Sequence, residues 1–227
     1  MRPYVVINAA MSADGKISTR ERRQVKISGT QDFTRVDRLK AGCDAVMVGI
    51  GTVLADDPSL TVKSEDCRRI RKERGANEHP VRIVVDSRAR TPPTASILIK
   101  GEGDRVIAVS ELADGKRVAE LRKHATIIVA GEKEVDLRIL LGKLGELGIQ
   151  RLMVEGGGTL IAGLISAGLV DEIYSYIGNI IIGGKDAPTL ADGPGYVNET
   201  DFCRLVLIEA HRMDNGILLH WKVGNPG

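Results

Sequence analysis

The chain has 227 residues, 43% of them apolar, which is enough for one sizeable hydrophobic core or two closely joined halves. Its 32 Lys and Arg residues nearly balance 30 Asp and Glu residues, and a net charge of +2 gives no general case for binding nucleic acid or an anionic membrane. No apolar run approaches the roughly 18 to 20 residues of a membrane span, so we expect a soluble, cytoplasmic protein.

The cysteines and histidines do not indicate a metal site. Cys43, Cys67 and Cys203 are odd in number and far apart, which is typical of buried or incidental thiols in a reducing cytoplasm. The four histidines share no ligand spacing. We therefore expect no bound metal.

In chain order, short apolar runs alternate with amphipathic segments, which predicts strands alternating with helices. The predicted strands cover residues 4–10, 44–49, 81–86, 105–110, 126–131 and 152–154, and residues 172–184 are β-rich. The predicted helices cover residues 29–42, with Thr30 as a candidate cap, then 114–123, 136–148 and the segment that follows Gly158. Residues 50–62 are predicted to form a long loop. Such alternation implies a largely parallel sheet that is covered on both faces.

The C-terminal region differs from the rest of the chain. Residues 203–223 are typical of an antiparallel hairpin that turns at Asp214-Asn215-Gly216. No internal repeat or low-complexity linker interrupts the sequence. We predict a single α/β domain over residues 1–227, with three layers, a mostly parallel central sheet and an antiparallel C-terminal hairpin.

Three consecutive glycines connect a predicted strand to a predicted helix in "RLMVEGGGTLIAGLI". A helix N-terminus presents unpaired N–H groups, and glycine lets that backbone approach a phosphate without interference from a Cβ atom. The stretch lacks the G-x-G-x-x-G fingerprint and the Lys-Ser/Thr end of a P-loop. We interpret the glycines as a phosphate cradle, and the alternative is a tight connection, for which one glycine would be enough.

A second glycine-containing stretch, "VMVGIGTVLADDPSL", follows the strand predicted at residues 44–49. It offers the Thr52 hydroxyl and the carboxylates of Asp56 and Asp57. The two carboxylates either contact a ligand or bond nearby backbone N–H groups, and the sequence leaves both possibilities open. Two glycine loops at the carboxyl ends of strands favour a ligand site, because open α/β sheets bind ligands there.

Four segments, spread in order over most of the chain, resemble the riboflavin-pathway pyrimidine reductases. They are "NAAMSADGKIS" (8–18), "GTVLADDPSLTV" (51–62), "RIVVDS" (82–87) and "VEGGGTLI" followed by "LVDEI". This family comprises the C-terminal reductase domain of bacterial bifunctional riboflavin proteins and its stand-alone archaeal and fungal relatives. The resemblance implies a dihydrofolate-reductase-like fold, NADPH as the cofactor and a homodimer.

The resemblance also implies a reaction, in which the ribose of a ribosylaminopyrimidine 5′-phosphate is reduced at C1′ to a ribityl chain. Bifunctional relatives add a zinc deaminase with an H-x-E and P-C-x-x-C signature, and this sequence contains neither motif. The chain is therefore similar to the stand-alone form, whose substrate is 2,5-diamino-6-ribosylamino-4(3H)-pyrimidinone 5′-phosphate. The alternatives are the deaminated 5-amino-6-ribosylamino-uracil 5′-phosphate, a dihydrofolate reductase and a non-catalytic NADP-binding regulator.

Residues at matching positions are expected to form the site. The expected cofactor contacts are Ala10, Thr52, Asp56, Ser87, Arg88, Gly131, Val154, Glu155, Gly156, Gly157, Gly158 and Thr159. The expected substrate contacts are Asn8, Lys40, Leu60, Lys63 and Glu155. Asp56 and Glu155 are candidate proton donors, and the catalytic residue is otherwise unknown.

Several features keep more than one interpretation. Asn8 stands where the fused bacterial domains tend to carry Lys, which suggests a different substrate. A dihydrofolate reductase would need an acid on the helix after the first strand, where Asp32 and Asp37 are available. Tyr174, Tyr176 and the run "NIIIGG" belong either to the core or to a dimer seam. The basic run "CRRIRKER" lacks interleaved aromatic residues and is interpreted as a solvated face.

Overall fold

The computed structural model describes residues 1–23 and 25–224. The strands are β1 (Tyr4–Met11), β2 (Ala45–Gly49), β3 (Val81–Val85), β4 (Arg105–Val109), β5 (Thr126–Val129), β6 (Arg151–Val154), β7 (Glu172–Ile177), β8 (Leu205–Met213) and β9 (Gly216–Val223). The helices are α1 (Thr30–Ala41), α2 (Ile50–Asp56), α3 (Glu65–Glu73), α4 (Ser96–Ile99), α5 (Gly115–Leu121), α6 (Leu137–Glu146) and α7 (Gly158–Ser166), with a 3-10 turn at Glu199–Asp201. The backbone divides into two compact units.

The first unit comprises Met1–Tyr4 and Arg35–Met153, and its strands follow the order β5-β4-β3-β2-β6. Strands β2, β3, β4 and β5 pair with their neighbours in parallel. The central strands are nearly continuous apolar runs, such as "AVMV" in β2, because both of their faces are covered. The core of this unit contains Val46, Val48, Val84, Ile97, Ile107 and Leu121, each almost completely buried.

The second unit comprises Val5–Thr34 and the chain from Val154 onward, and its strands follow the order β1-β7-β9-β8. Strands β1 and β7 are parallel, whereas β7, β9 and β8 pair antiparallel. The β8–β9 hairpin turns at Asp214 and Asn215, where Asp214 adopts a left-handed φ of 51°. The predicted α/β class, with a mostly parallel sheet and an antiparallel C-terminal hairpin, is confirmed.

The predicted long loop at residues 50–62 is wrong over its first half, because Ile50–Asp56 form α2. Ile50 and Val53 lie three residues apart on one helical face and are both buried. The helix has only seven residues and contains a glycine, so its apolar period was too short to be distinguished from a loop. The β-rich prediction for residues 172–184 holds only as far as Ile177, where β7 ends.

The sequence analysis also missed α3, whose basic residues were interpreted as a solvated face. Ser64 caps this helix by accepting a hydrogen bond from the N–H group of Cys67. The interpretation holds for Arg69, which is exposed, but it is wrong for Arg71. The buried guanidinium of Arg71 donates to the carbonyl oxygens of Ala41, Cys43 and Asn77.

Two further expectations concern the chain as a whole. No helix in residues 1–23 and 25–224 is long and apolar enough to cross a membrane. The prediction of one domain over residues 1–227 includes Gln24 and residues 225–227, which lie outside the described residues. That prediction stays a prediction.

Asp214, in the β8–β9 turn, caps the N-terminus of α1. Its carboxylate oxygens accept hydrogen bonds from the N–H groups of Gln31 (3.1 Å) and Asp32 (3.0 Å). Gly29 makes this approach possible, because a Cβ atom there would lie 2.4 Å from Cγ of Asp214. The predicted cap, Thr30, is instead the first helical residue. The cap of this helix therefore comes from a part of the chain that is distant in sequence.

We expect Asp214→Ala to lower the free energy of unfolding by about 1 to 2 kcal/mol, the usual cost of removing a helix cap. Asp214→Asn should cost less, because asparagine keeps one acceptor oxygen and tolerates a positive φ. Urea unfolding with unchanged m-values measures both effects. An Asp214→Ala protein as stable as the wild type would contradict the capping role.

Candidate functional site

In the second unit, the consecutive glycines lie between β6 and α7. Gly156 and Gly157 have φ angles of 117° and 92°, in the left-handed region that side chains rarely adopt. Gly157 is the N-cap of α7 and, as a glycine, contributes no side-chain cap. The first-turn N–H groups of a helix point out of its N-terminus, where the helix dipole favours negative charge, so this position is suited to a phosphate.

Gly158 has a different structural reason. A Cβ atom there would lie 2.6 Å from the carbonyl oxygen of Thr189 and 2.8 Å from Oδ2 of Asp192. The N–H group of Asp192 donates to the carbonyl oxygen of Gly158 (3.0 Å), and Asp192 Oδ1 accepts from the N–H and hydroxyl groups of Thr189. Gly158 is thus needed for packing against residues 189–192. Gly156 and Gly157 remain the residues that we interpret as a phosphate cradle.

The other predicted residues of the second unit lie on β1 and at the end of β6. Asn8 is buried and Ala10 is half-buried, and their side chains share one face of β1 because they are two residues apart. Val154 is buried at the end of β6, and Glu155 follows it in a half-buried position. Thr159 is exposed in the first turn of α7.

In the first unit, Asp56 and Asp57 have different roles. Asp57 ends α2 at a φ of 43°, and its carboxylate accepts from the N–H and hydroxyl groups of Ser96, both at 2.7 Å. These two hydrogen bonds hold the pKa of Asp57 below its usual value. Oδ1 of Asp56 is buried without a hydrogen-bond partner among the described residues, and burial raises the pKa of this carboxyl group. Asp56 is therefore the ligand candidate of the pair.

The first turn of α2 presents an open surface beside Asp56. Thr52 is half-buried there, and Gly51 is exposed. A Cβ atom at Gly51 would meet no other atom within 4 Å, so protein packing does not require glycine at this position. Gly51 therefore leaves the first turn of α2 accessible, and the sequence analysis did not include it among the expected contacts.

Ser87 and Gly131 both join loops of the first unit. The Ser87 hydroxyl accepts from the N–H group of Val135 (3.0 Å), and its carbonyl oxygen accepts from the N–H and hydroxyl groups of Ser110. Gly131 has a φ of 91°, and a Cβ atom there would lie 2.3 Å from the carbonyl oxygen of Glu134. Each residue therefore has a structural reason to be present, whatever it contributes to ligand binding.

Arg88 and Asp86 flank Ser87 in the turn after β3. Arg88 is exposed, whereas Asp86 is fully buried. Oδ2 of Asp86 accepts from the N–H and hydroxyl groups of Thr91, both at 2.7 Å, and its Oδ1 lies 3.9 Å from Nε of Arg90. Oδ2 of this carboxylate is thus occupied inside its own turn, whereas Oδ1 is buried without a hydrogen-bond partner among the described residues.

Lys40 and Lys63, predicted to contact a phosphate, influence each other electrostatically. Burial lowers the pKa of Lys63, and the positive charge of Lys40 lowers it further. Asp37 opposes this effect, but its two carboxylate oxygens already accept from the N–H groups of Lys63 (2.7 Å) and Ser64 (2.8 Å). Leu60 is buried nearby in sequence, at a left-handed φ of 53°. An excess of positive charge therefore surrounds the ammonium group of Lys63.

The cysteines are free thiols, and Cys43 and Cys67 are buried as predicted. Burial raises the pKa of Cys43 to about 11, so this thiol is not poised to react as a thiolate. In the part of the chain that the structure describes, no group of three or more His, Cys, Asp and Glu side chains could hold a metal ion.

The predicted site residues thus fall into one group in each unit. The first unit contains Lys40, Thr52, Asp56, Leu60, Lys63, Ser87, Arg88 and Gly131, and the second contains Asn8, Ala10, Val154, Glu155, Gly156, Gly157, Gly158 and Thr159. Their contacts with ligands stay predictions. The sequence analysis missed Ser59 and Thr61, whose hydroxyl groups accept hydrogen bonds from Lys63. The only sequence signal was their spacing, since they lie four and two residues before the lysine.

A solved structure has the same fold. The pyrimidine reductase-like protein of Corynebacterium diphtheriae superposes with a TM-score of 0.85 at 19% identity, over 98% of this chain and 92% of that chain. At this level of identity the likeness shows the fold alone, which is a dihydrofolate-reductase-like α/β fold.

Sequence comparison defines the family. The profile of the RibD C-terminal domain matches residues 3–219, so the chain belongs to the RibD C-terminal domain family. The chain is 53% identical to the 2,5-diamino-6-ribosylamino-4(3H)-pyrimidinone 5′-phosphate reductase of Archaeoglobus fulgidus, over 92% of this chain and 94% of that protein. The protein of the same name from Methanothermobacter thermautotrophicus is 48% identical over 98% of this chain and 99% of its own length. The chain is accordingly an oxidoreductase.

The contrast between Asp56 and Asp57 predicts opposite effects on stability. Asp57→Asn should lower the melting temperature at neutral pH, because an amide has one acceptor oxygen for the two Ser96 donors. Asp56→Asn should preserve or raise the melting temperature, because it removes a charge that burial disfavours.

Thermal unfolding at several pH values separates the two effects. The contribution of Asp57 is present above the ordinary Asp pKa of 3.8 and is lost as the pH falls through its lowered value. The penalty at Asp56 grows as the pH rises from 3.8 toward its raised pKa, so the advantage of Asp56→Asn should vanish in acid. Equal effects of the two substitutions would contradict the division of roles.

Proposed function

We propose that this protein is an NADPH-dependent reductase of riboflavin biosynthesis. It reduces ribose C1′ of 2,5-diamino-6-ribosylamino-4(3H)-pyrimidinone 5′-phosphate to give the ribitylamino product. The observation that carries this proposal is 53% identity to the archaeal reductase of that name over nearly the whole of both proteins. We further propose that residues 1–227 act as a single reductase domain.

The residues present fit a nicotinamide dinucleotide. The left-handed glycines 156 and 157, at the N-terminus of a helix whose N-cap is a glycine, would cradle its pyrophosphate, with Val154, Glu155, Gly158 and Thr159 around them. In the same unit, the small side chain of Ala10 would leave room for the nicotinamide. In the first unit, Thr52, Asp56, Ser87 and Gly131 would contribute further contacts. When bound, the nicotinamide supplies a hydride to C1′, and the protein contributes orientation and exclusion of water.

Lysine charges would hold the substrate phosphate. Burial is the largest cause that lowers the pKa of Lys63, and the positive charge of Lys40 lowers it further, so a dianionic phosphate would relieve the repulsion between the two ammonium groups. As lysines they act as point charges rather than as bidentate guanidinium forks. Leu60 would pack against the sugar, and Asn8 and Glu155 would contact the pyrimidine and ribose.

Asp56 and Glu155 are the candidate proton donors. The raised pKa of Asp56 increases the fraction of this side chain that carries a proton near neutral pH. Its buried Oδ1 has no hydrogen-bond partner among the described residues, so a substrate oxygen or nitrogen can become that partner. Asp56 could therefore deliver a proton to the ribose ring oxygen as C1′ is reduced.

The dihydrofolate reductase alternative has less support. An acid that binds a pteridine needs a carboxylate available to the ligand. Both oxygens of Asp37 are engaged by the backbone N–H groups of Lys63 and Ser64, which makes this residue unsuitable.

We also propose a cytoplasmic homodimer. Strand β8 lies at the end of the strand order in its unit and exposes four consecutive apolar side chains, namely Leu205, Val206, Leu207 and Ile208. An exposed apolar edge strand favours coverage by a partner. Tyr176, considered earlier as part of a dimer seam, is buried, and Tyr174 stacks on His220. Of the residues considered earlier for a seam, Ile181 in the run after β7 is exposed, so the proposed seam comprises β8 and this run rather than the two tyrosines.

Oxidation of NADPH in the presence of the diamino substrate tests the proposed function, with dihydrofolate as the competing substrate. We expect turnover of the diamino compound and a higher kcat/KM with NADPH than with NADH. The cationic side chain of Arg88 is exposed, whereas the carboxylate of Asp86, the acid that would bind ribose hydroxyls in an NAD site, is fully buried and its Oδ2 is engaged by Thr91. Equal kcat/KM for the two cofactors would contradict the preference.

The same assay tests the role of Arg88. Arg88→Ala should cost about 1 to 3 kcal/mol in kcat/KM with NADPH, as expected for a hydrogen bond to a charged group. It should leave the value with NADH unchanged. Arg69→Ala, at an exposed arginine on α3, is the matched control and should change neither value.

A second prediction concerns which pyrimidine is reduced. We expect the diamino substrate to be used at least about tenfold better than its deaminated analogue, or about 1.4 kcal/mol, because an amide at Asn8 can donate to or accept from the ring substituents. Asn8→Lys should narrow or invert this ratio of kcat/KM, while Asn8→Gln, which keeps the amide, should preserve its direction. Equal use of both substrates by the wild type would show that Asn8 is not the selector.

A further inference from the structure

The ammonium group of Lys63 is held by two hydroxyl groups. Its Nζ donates to Oγ of Ser59 (2.9 Å) and to Oγ1 of Thr61 (2.8 Å), and these two oxygens lie 3.0 Å apart. An ammonium group has three N–H donors and no acceptor. Two of the three are therefore directed at the protein, and one is left for a ligand.

The backbone that carries Lys63 is held independently of those hydroxyl groups. Asp37 accepts from the N–H groups of Lys63 and Ser64, and Arg68 donates to the carbonyl oxygen of Lys63 (2.7 Å). His79 Nδ1 accepts from the N–H group of Val62 (3.3 Å). Because these contacts already anchor the main chain, Ser59 and Thr61 are not needed to order it. Their effect is on the ammonium group.

Ordering a lysine side chain opposes its rotamer entropy, so the hydrogen bonds that hold this ammonium group require a functional explanation. Burial is the largest cause that lowers the pKa of Lys63, and the positive charges of Lys40, Lys100 and Arg68 lower it further, while Asp37 is the acid that raises it. With the oxygens of Asp37 engaged by backbone N–H groups, this concentration of positive charge is suited to an anion with more than one negative charge.

We propose that Ser59 and Thr61 are positioning residues that aim the Lys63 ammonium at the 5′-phosphate of the substrate. By fixing this cation, the hydroxyl pair makes the enzyme select phosphorylated substrates over the corresponding nucleosides. The inference rests on the proposed function for the identity of the phosphate. The orientation of the ammonium group does not depend on the proposed function, because it follows from the hydrogen bonds that Lys63 makes to Ser59 and Thr61.

The kinetic test compares Thr61→Val and Ser59→Ala with the wild type. Each variant should raise KM for the phosphorylated substrate by about tenfold, since hydrogen bonds to charged groups have this order of strength, and should leave kcat unchanged. Neither should alter kcat/KM for the unphosphorylated nucleoside. Thr61→Ser, which restores the hydroxyl, should recover the wild-type KM. Thr34→Val is the matched control, because the Thr34 hydroxyl donates to the carbonyl oxygen of Thr30 within its own helix and, in the part of the chain that the structure describes, makes no hydrogen bond to residues 59–63.

The pH profile adds a readout that a purely structural role would not change. Phosphate binding needs the charged ammonium, so kcat/KM should fall as the pH rises through the pKa of Lys63, which lies below its usual value. Hydroxyl acceptors stabilise the ammonium form, so Thr61→Val should move this alkaline limb to lower pH. An unchanged limb together with an unchanged KM would overturn the inference while leaving the proposed function intact.

Calorimetry with inorganic phosphate tests the positioning role without any turnover. The wild type should bind phosphate more tightly than either Ser59→Ala or Thr61→Val, both checked for native circular dichroism. If the wild type fails to reduce the pyrimidine but shows this difference, the proposed function fails and the anion site stands. Equal phosphate affinity in the wild type and in both folded variants would overturn the inference, whatever the reductase assay gives.

Discussion

Aspartate side chains that accept hydrogen bonds from backbone N–H groups hold the connections of this fold in place. The backbone of irregular segments carries donors that helices and strands would otherwise satisfy, and leaving them unpaired in the interior is costly. Carboxylates supply the missing acceptors in both units. The aspartates that act in this way include Asp14, Asp37, Asp44, Asp57, Asp86, Asp171, Asp192 and Asp214. The geometry of the candidate site depends on these contacts.

This use of aspartate changes how the carboxylates of the site are interpreted. Asp37 occupies a position where sequence reasoning considered a ligand-binding acid, yet both of its oxygens accept hydrogen bonds from backbone N–H groups. Asp56 and Asp86 each have a buried Oδ1 without a hydrogen-bond partner among the described residues. Burial raises the pKa of Asp56, whereas Oδ2 of Asp86 holds a turn by accepting from the N–H and hydroxyl groups of Thr91. The glycines also differ in whether packing requires them, because a Cβ atom at Gly158 would collide with residues 189–192, whereas a Cβ atom at Gly51 would meet no other atom within 4 Å.

The local sequence pattern was sufficient to predict the strands and the first residues of several helices. The apolar runs of β2, β3 and β4 are buried strands, and Asp114 and Asp136 cap α5 and α6 close to the predicted boundaries. Local pattern was insufficient where a polar side chain is buried inside an apolar element. Arg82 lies in a strand of apolar residues, is fully buried, and donates to the carbonyl oxygens of residues 100–103, while burial lowers its pKa to about 10. No periodicity in the sequence identifies those carbonyl oxygens as its partners.

The sequence by itself determined the α/β class, the order of the strands along the chain and the family, because these follow from apolar periodicity and from residues that stand in a fixed local order. Only the tertiary structure decided which polar side chains are engaged. Asp214 caps a helix that begins at Thr30, and Ser59 and Thr61 hold an ammonium that the sequence showed only as a lysine. The reason is that a hydrogen bond depends on distance and direction in space, which are set only when the chain folds, whether the partners are distant in sequence, as for Asp214, or close to each other, as for Lys63 and Thr61.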